Sequence, residues 1–291
     1  MRIETRKVDK KTHIITSYDS LTEIDLATPT QSYNVSKWDS LMEDERGTDW
    51  YGMPTRTSAG VVMDLFRHGW TDGVSKLQKE AHDFSLIAPM TMNKIERPRQ
   101  RCAAEGDTVD VQAMLTGDFD HMWHGMERRT MEDLKTRVHI VTVIGGDHTV
   151  KAEQLKWSGI LAAVLGAKAL ENGYDVKITA VYYSQGQLED KRREFNIGLM
   201  NIKRYDESLS LANLAPLMSP AYFRAVCFKG MLLSPEECAS GLGQPRDFTK
   251  EIAADVMGTG FADGTPLWIP PLRSREATLE RYKQLVEELQ S

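Results

Sequence analysis

The chain has 291 residues, 41% of them hydrophobic and 27% charged, with a formal net charge of -6 and a pI near 5.7. That length and apolar content can bury a substantial core in one or two domains, while the acidic balance excludes a protein coated in basic side chains, so any phosphate contact has to be local. Cys102, Cys227 and Cys238 are odd in number and form no Cys-x-x-Cys pair, which argues for reduced thiols and against a disulfide framework. The opening MRIETRKVDKK lacks the apolar run of a secretory signal, and the longest apolar block, Ile160 to Ala167, is too short for a bilayer; a soluble cytoplasmic protein with no membrane partner is expected.

In chain order, THIIT (12–16) reads as a short strand and SYDSLTEIDLA as a weak helix ended by Pro29. The stretch WYGMPTRTSAGVVMDLFRHGWTDGV predicts two helices about a glycine corner. Thr57 or Ser58 caps the first, Gly69 ends it in a left-handed conformation, and Asp72 caps the second. The second helix carries Val74, Leu77, Ala81 and Phe84 or Ser85 on one face and stops before Pro89. Trp50 and Trp70 flank this corner, either as a platform for flat ligands or as packing against the small glycines. Residues 89–136 are broken by Pro and Gly and read as connecting structure. Charge is sorted there, with Arg97, Arg99 and Arg101 preceding the acidic Glu105, Asp107, Asp110, Asp118 and Asp120.

From residue 137 the pattern sharpens. RVHIVTVIGG is a buried strand, the run from Leu155 to Leu170 is a helix apolar on nearly every side, and Asn172-Gly173 stops it. DVKITAVYY and FNIGLMNIK then read as two further strands around the spacer SQGQLEDKRRE, and strand, helix and strand of these lengths argue a right-handed crossover in a mainly parallel sheet. Beyond them, Ser219-Pro220 and Ser234-Pro235 are helix starts, residues 258–272 a Gly/Pro-rich loop, and Ser274 the cap of a last helix with Leu279, Tyr282, Val286 and Leu289 on one face. The expected fold is α/β, a mainly parallel, Rossmann-like sheet flanked by helices (137–291) after an N-terminal mostly helical region (1–136).

The junction VIGGDHTVK lies where open parallel sheets bind ligands, but it lacks Gly-x-Gly-x-x-Gly and the Gly-Lys-Ser/Thr ending of a phosphate loop. It resembles a von Willebrand A-type domain, whose first strand ends in Asp-x-Ser-x-Ser around a divalent cation. Here Asp147, Thr149 and Lys151 stand in that pattern, and the lysine puts a positive charge where the metal would sit, so the architecture is expected without a working metal site. Asp118, Asp120, His121 and His124 fall within seven residues and are weak candidates for a metal, against the plainer reading of a solvated acidic cluster. No nucleophile elbow, Ser-His-Asp order or His-Glu-x-x-His is present, so no catalytic residue and no cofactor are assigned.

Single strands are held by basic grooves along phosphates together with rings on which bases stack. Arg192 and Arg193, and Lys203-Arg204-Tyr205, supply these types, with Trp50 and Tyr51 as further rings; each cluster alone also fits a solvated surface.

Four stretches in one order, YDSLTEI, the Trp/Gly segment quoted above, the strand-helix-strand of 137–183, and LSLANLAPLMSPAYFRAVCF, resemble a family of bacteriophage proteins related to a single-stranded-DNA-binding protein that recruits a compact phage-encoded RNA polymerase. The resemblance implies a non-enzymatic role in transcription, with single-stranded DNA and a phage RNA polymerase as partners in the host cytoplasm, and it carries no catalytic residues. Two other classes stay open: a metal-dependent enzyme using the Asp118–His124 cluster, and a scaffold or host-factor inhibitor using the acidic stretch.

Overall fold

The structure, a computed structural model, describes residues 1–8, 11–20, 23–24, 64, 68–87, 101–103, 108–109, 114–116, 123–125, 137–145, 150–187, 193–205, 207, 211–219, 229–230, 233, 244–246, 248–257 and 265–290. In chain order the strands are β1 (Arg2–Val8), β2 (Lys11–Tyr18), β3 (Arg101–Ala103), β4 (Thr108–Val109), β5 (Trp123–Gly125), β6 (Arg137–Val143), β7 (Asp175–Gln187), β8 (Arg193–Lys203), β9 (Gln244–Pro245) and β10 (Thr265–Ile269). The helices are α1 (Thr71–Ile87), α2 (Ala152–Glu171), α3 (Lys250–Met257) and α4 (Arg275–Gln290), with a short turn of helix at Leu211–Leu214 running into a 3-10 turn at Ala215–Met218. Residues 92–136 make one compact unit, in which β3, β5 and β4 pair antiparallel in that order. Residues 1–91 and 137–291 make the other.

The larger unit is built on one sheet of order β1-β2-β8-β7-β6-β10, with β9 pairing off the path against β7. The expectation of a mainly parallel, von Willebrand A-like or Rossmann-like sheet is overturned. The sheet is mixed, since β2·β8, β6·β7 and β6·β10 are parallel while β1·β2, β7·β8 and β7·β9 are antiparallel. The crossover β6-α2-β7 is parallel as expected, but β8 pairs antiparallel with β7: only five residues separate Gln187 from Arg193, whereas a parallel return needs a crossover of about a dozen residues. Nor is the N-terminal region simply helical: β1 and β2 form a hairpin whose second strand inserts beside β8, with Ile15 opposite Ile197. β10 lies inside the stretch read as a Gly/Pro loop; Pro266 is tolerated there because, among the described residues, β10 is the last strand of the sheet path and keeps one edge without ladder bonds.

Alternation puts successive side chains on opposite faces of this sheet. On one face Val138, Ile140, Val176, Ile178, Ala180, Tyr182, Met200, Leu267 and Ile269 join a core with α1, α2 and α4. α2 is buried nearly all round, as its apolar composition predicts, and it ends where Gly173 takes φ +86° and Tyr174 N–H donates to Ala169 O. The cap of α4 is also as expected, with Ala277 N–H donating to Ser274 Oγ. Each large apolar side chain buried here contributes about 1.5–3 kcal/mol.

Trp70 and Gly73 answer half of the tryptophan–glycine question. Gly69 has φ +79°, and a Cβ on Gly73 would fall 2.4 Å from the Trp70 ring, so glycine is there to let the indole lie on the helix and pack against the core. Trp50, like the capping Thr57 and Ser58, lies outside the described residues.

Candidate functional site

The second face of the sheet is divided in two. At one end His13 (β2), Phe195 (β8), Tyr183 (β7), Phe248 and Trp268 (β10) form a continuous aromatic row, with neighbouring ring centroids 5.1, 5.6, 5.2 and 5.6 Å apart. α3 seals this end with Ala253 and Val256. Burial pushes the Tyr183 phenol up to about 12, against the opposing pull of Arg246. Burial, and then the Lys11 ammonium, hold the His13 imidazole below its ordinary value.

The other end of the face is left uncovered by α3 and forms a cleft of about 360 Å³ lined by Arg2, Glu4, Arg6, Ile15, Ser17, His139, Lys177, Thr179, Leu199 and Asn201. Its floor is a polar row running across three strands: Thr179 Oγ1 donates to Asn201 Oδ1 at 3.0 Å and lies 2.8 Å from His139 Nε2. With its proton given to Asn201, the threonine oxygen accepts from Nε2–H, which fixes the imidazole tautomer. His139 and Thr179 are buried at the bottom of the row.

The walls carry the charge. On β1, Arg2, Glu4 and Arg6 share a face, and Glu4 pairs with both arginines at 2.5 and 2.9 Å. Arg6 Nη1 also donates to Val256 O at 2.8 Å, placing a cation on the last turn of α3, where the helix dipole is negative. Lys177 of β7 lines the opposite side. Among the described lining residues, Arg2, Arg6 and Lys177 stand with the carboxylate of Glu4, a basic set in a chain whose overall charge is negative.

The residues named from the sequence are distributed differently. Trp50, Tyr51 and Arg192 lie outside the described residues, and Arg193 is placed only as the first residue of β8. That end of β8 is roughly 30 Å from its other end at Lys203. Lys203 is 3% exposed, and its ammonium donates to Val176 O and Arg204 O at 2.7 and 2.8 Å, so its charge is used inside the fold. Arg204 is exposed and pairs with Glu207 at 3.1 Å. Tyr205 is half-buried under the Arg137 guanidinium, 5.2 Å from the ring centroid, and Arg137 in turn pairs with Asp175. Lys203, Arg204 and Tyr205 thus stand at the same end of the sheet as the cleft, since β8 ends beside the starts of β6 and β7. Asp118, Asp120, His121, Asp147 and Thr149 are outside the described residues, and His124 is placed only as the middle of β5 opposite Cys102 and Thr108. Among the described residues, no group of three or more His, Cys, Asp and Glu side chains is gathered to hold a metal, and no helix is long and apolar enough to cross a membrane.

Sequence reasoning missed the cleft itself. The available signal was polar residues in phase inside otherwise apolar strands: His139 in RVHIVTV, Lys177 and Thr179 in DVKITAV, and the Arg-x-Glu-x-Arg alternation of β1.

No curated protein and no solved structure matches the chain. A family description covers it almost end to end, from residue 4 to residue 290, and on that match the chain belongs to the family defined as a domain of unknown function, DUF7192.

Proposed function

We propose that this chain is a non-enzymatic single-stranded-DNA-binding protein that uses the polar end of its sheet as the phosphate-binding surface. The observation that carries the reading is the gathering of Arg2, Arg6 and Lys177 about an open cleft with a hydrogen-bonding floor. Arg204 and Tyr205 at the same end of the sheet add a cation and a ring. Guanidinium and ammonium groups neutralise phosphates, and rings add stacking worth about 1–3 kcal/mol per base. The resemblance to phage proteins supplies the setting: transcription in a phage-infected cell, with recruitment of a phage RNA polymerase through a surface separate from the cleft.

The test is fluorescence anisotropy with a labelled oligonucleotide over a salt series. Binding is expected at low salt and should weaken with a slope of about -0.7 per phosphate contact. Arg6→Ala and Arg204→Ala should each flatten that slope. No binding at low salt rejects the DNA reading. A pull-down from infected cells, repeated after nuclease treatment, tests recruitment, and loss of the polymerase on nuclease treatment shows that DNA alone bridges the two.

A further inference from the structure

We propose that β1 is a dimerisation edge: two copies of this chain join their first strands antiparallel about Thr5, and the two sheets run on as one. The inference goes beyond the DNA reading and does not depend on it.

Exposure is the first argument. Among the described residues β1 stands at one end of the sheet path and is paired on one side only, with β2. Arg2, Ile3, Thr5, Arg6 and Lys7 are all exposed, and Ile3, at 37%, is an apolar side chain left in water beside a strand edge. The row of backbone N–H and C=O groups along such an edge is a template for another strand. The far end of the path differs. β10 is shorter, carries Pro266, and buries Leu267, Trp268 and Ile269.

The order of charges is the second argument, and it selects the occupant. Basic side chains on an edge ordinarily guard it against indiscriminate pairing, but RIETRKV leaves one register open to a second copy of itself. With Thr5 opposite Thr5 across a two-fold axis normal to the sheet, Glu4 of each copy faces Arg6 of the other, Ile3 lies beside the stem of Lys7, and Arg2 faces Val8. Moving the axis to Glu4 sets carboxylate against carboxylate and Arg2 against Arg6. Moving it to Arg6 sets guanidinium against guanidinium. Like charges directly opposite destabilise a strand pair, so among the registers that keep the helices of both copies on one side, the one centred on Thr5 is favoured.

Preparation is the third argument. Glu4 and Arg6 are already held together by their own ion pair at 2.9 Å, with both side chains still in reach of solvent, so pairing orders little that is not ordered before it. The same pairing sets two clefts on adjoining strands, since Arg2, Glu4 and Arg6 line each of them.

Sedimentation equilibrium on the full chain across the micromolar range is the test. A reversible monomer–dimer equilibrium is expected, weak because one strand pair is a small interface. Glu4→Arg and Arg6→Glu, each checked for folding by its melt, set like charges opposite and should each weaken the dimer about tenfold. An equimolar mixture of the two variants should dimerise again, because every facing pair is then a cation against a carboxylate. Thr5→Cys gives a reading independent of those charges. Under mild oxidation it should cross-link faster than Ile3→Cys, whose facing residue is Lys7, with the parent chain setting the background from its own thiols. A parent that stays monomeric throughout overturns the proposal, as does a dimer untouched by either charge reversal. A mixture that fails to recover, or cross-linking no faster at Thr5 than at Ile3, overturns the pairing about Thr5. Each of these outcomes leaves the oligonucleotide titration to be decided on its own.

Discussion

The two ends of the second sheet face are built from the same strands and the same alternation, yet one is a sealed aromatic row and the other an open polar cleft. At the sealed end β2, β8 and β7 contribute His13, Phe195 and Tyr183; a few residues along, the same three strands contribute Ser17, Asn201 and Thr179. What changes is the cover. α3 and Phe248 lie over the rings, and nothing of α3 lines the polar row. Rigid packing at one end holds the strands in register, so that the hydrogen-bonded floor at the other is fixed without help from a ligand.

The sharpest way to break the comparison is Phe248→Ala. The ring is 1% exposed and bridges Tyr183 and Trp268, so its loss should cost about 3–5 kcal/mol in urea denaturation. Oligonucleotide binding by the protein that remains folded should be unchanged if the ends act separately. Lys203→Ala comes next. Removing an ammonium bonded to two buried-side carbonyls should destabilise by about 1–3 kcal/mol, and a comparable fall in binding without loss of stability would return Lys203 to the DNA surface.

Acid should separate the ends by a smaller effect. The folded-state pKa of His13 lies below its unfolded value of 6.5, so the unfolded chain takes the proton first. The contribution is constant above about pH 6.5 and stability falls as pH drops below that value through the lower folded pKa. Denaturation midpoints at pH 7.5 and pH 5 should therefore differ by less in His13→Phe, which keeps a ring on Phe195. The smallest stability change belongs to Arg2→Ala. Its side chain is 79% exposed, so the cost should stay within about 0.5 kcal/mol while the salt slope of oligonucleotide binding falls by about 0.7.

The parts of this architecture that are local in sequence were legible from it. α1, α2 and α4 follow from apolar period and the start of α4 also from its Ser274 cap, whereas Asp72, expected as a cap, lies within the first turn of α1; the β6-α2-β7 crossover follows from two β-branched runs around a long helix. Strand direction was not legible, because the side-chain pattern of β8 is the same whichever way it runs and only the length of its connection to β7 decides. β1 was invisible for another reason: Arg2, Glu4 and Arg6 alternate with Ile3, Thr5 and Lys7, a pattern with too little apolar content to announce a strand, and it becomes one through its pairing with β2. The candidate site shares this difficulty. Its walls come from residues as far apart as Arg2 and Asn201, so no motif of fixed spacing encodes it, and Lys203, selected as a neighbour of Arg204 and Tyr205, turned inward to two carbonyls.

The insertion of β2 beside β8 has a consequence for how the molecule is made. The first hairpin leaves the ribosome long before its partner strand at Arg193–Lys203 has been translated. At elongation rates of about 5–20 residues per second the wait is on the order of ten seconds or more. A lone two-stranded hairpin is marginal in water, so throughout that interval Ile14 and Ile15 are exposed to whatever binds nascent apolar segments, and the sheet can close only after the chain has passed residue 203.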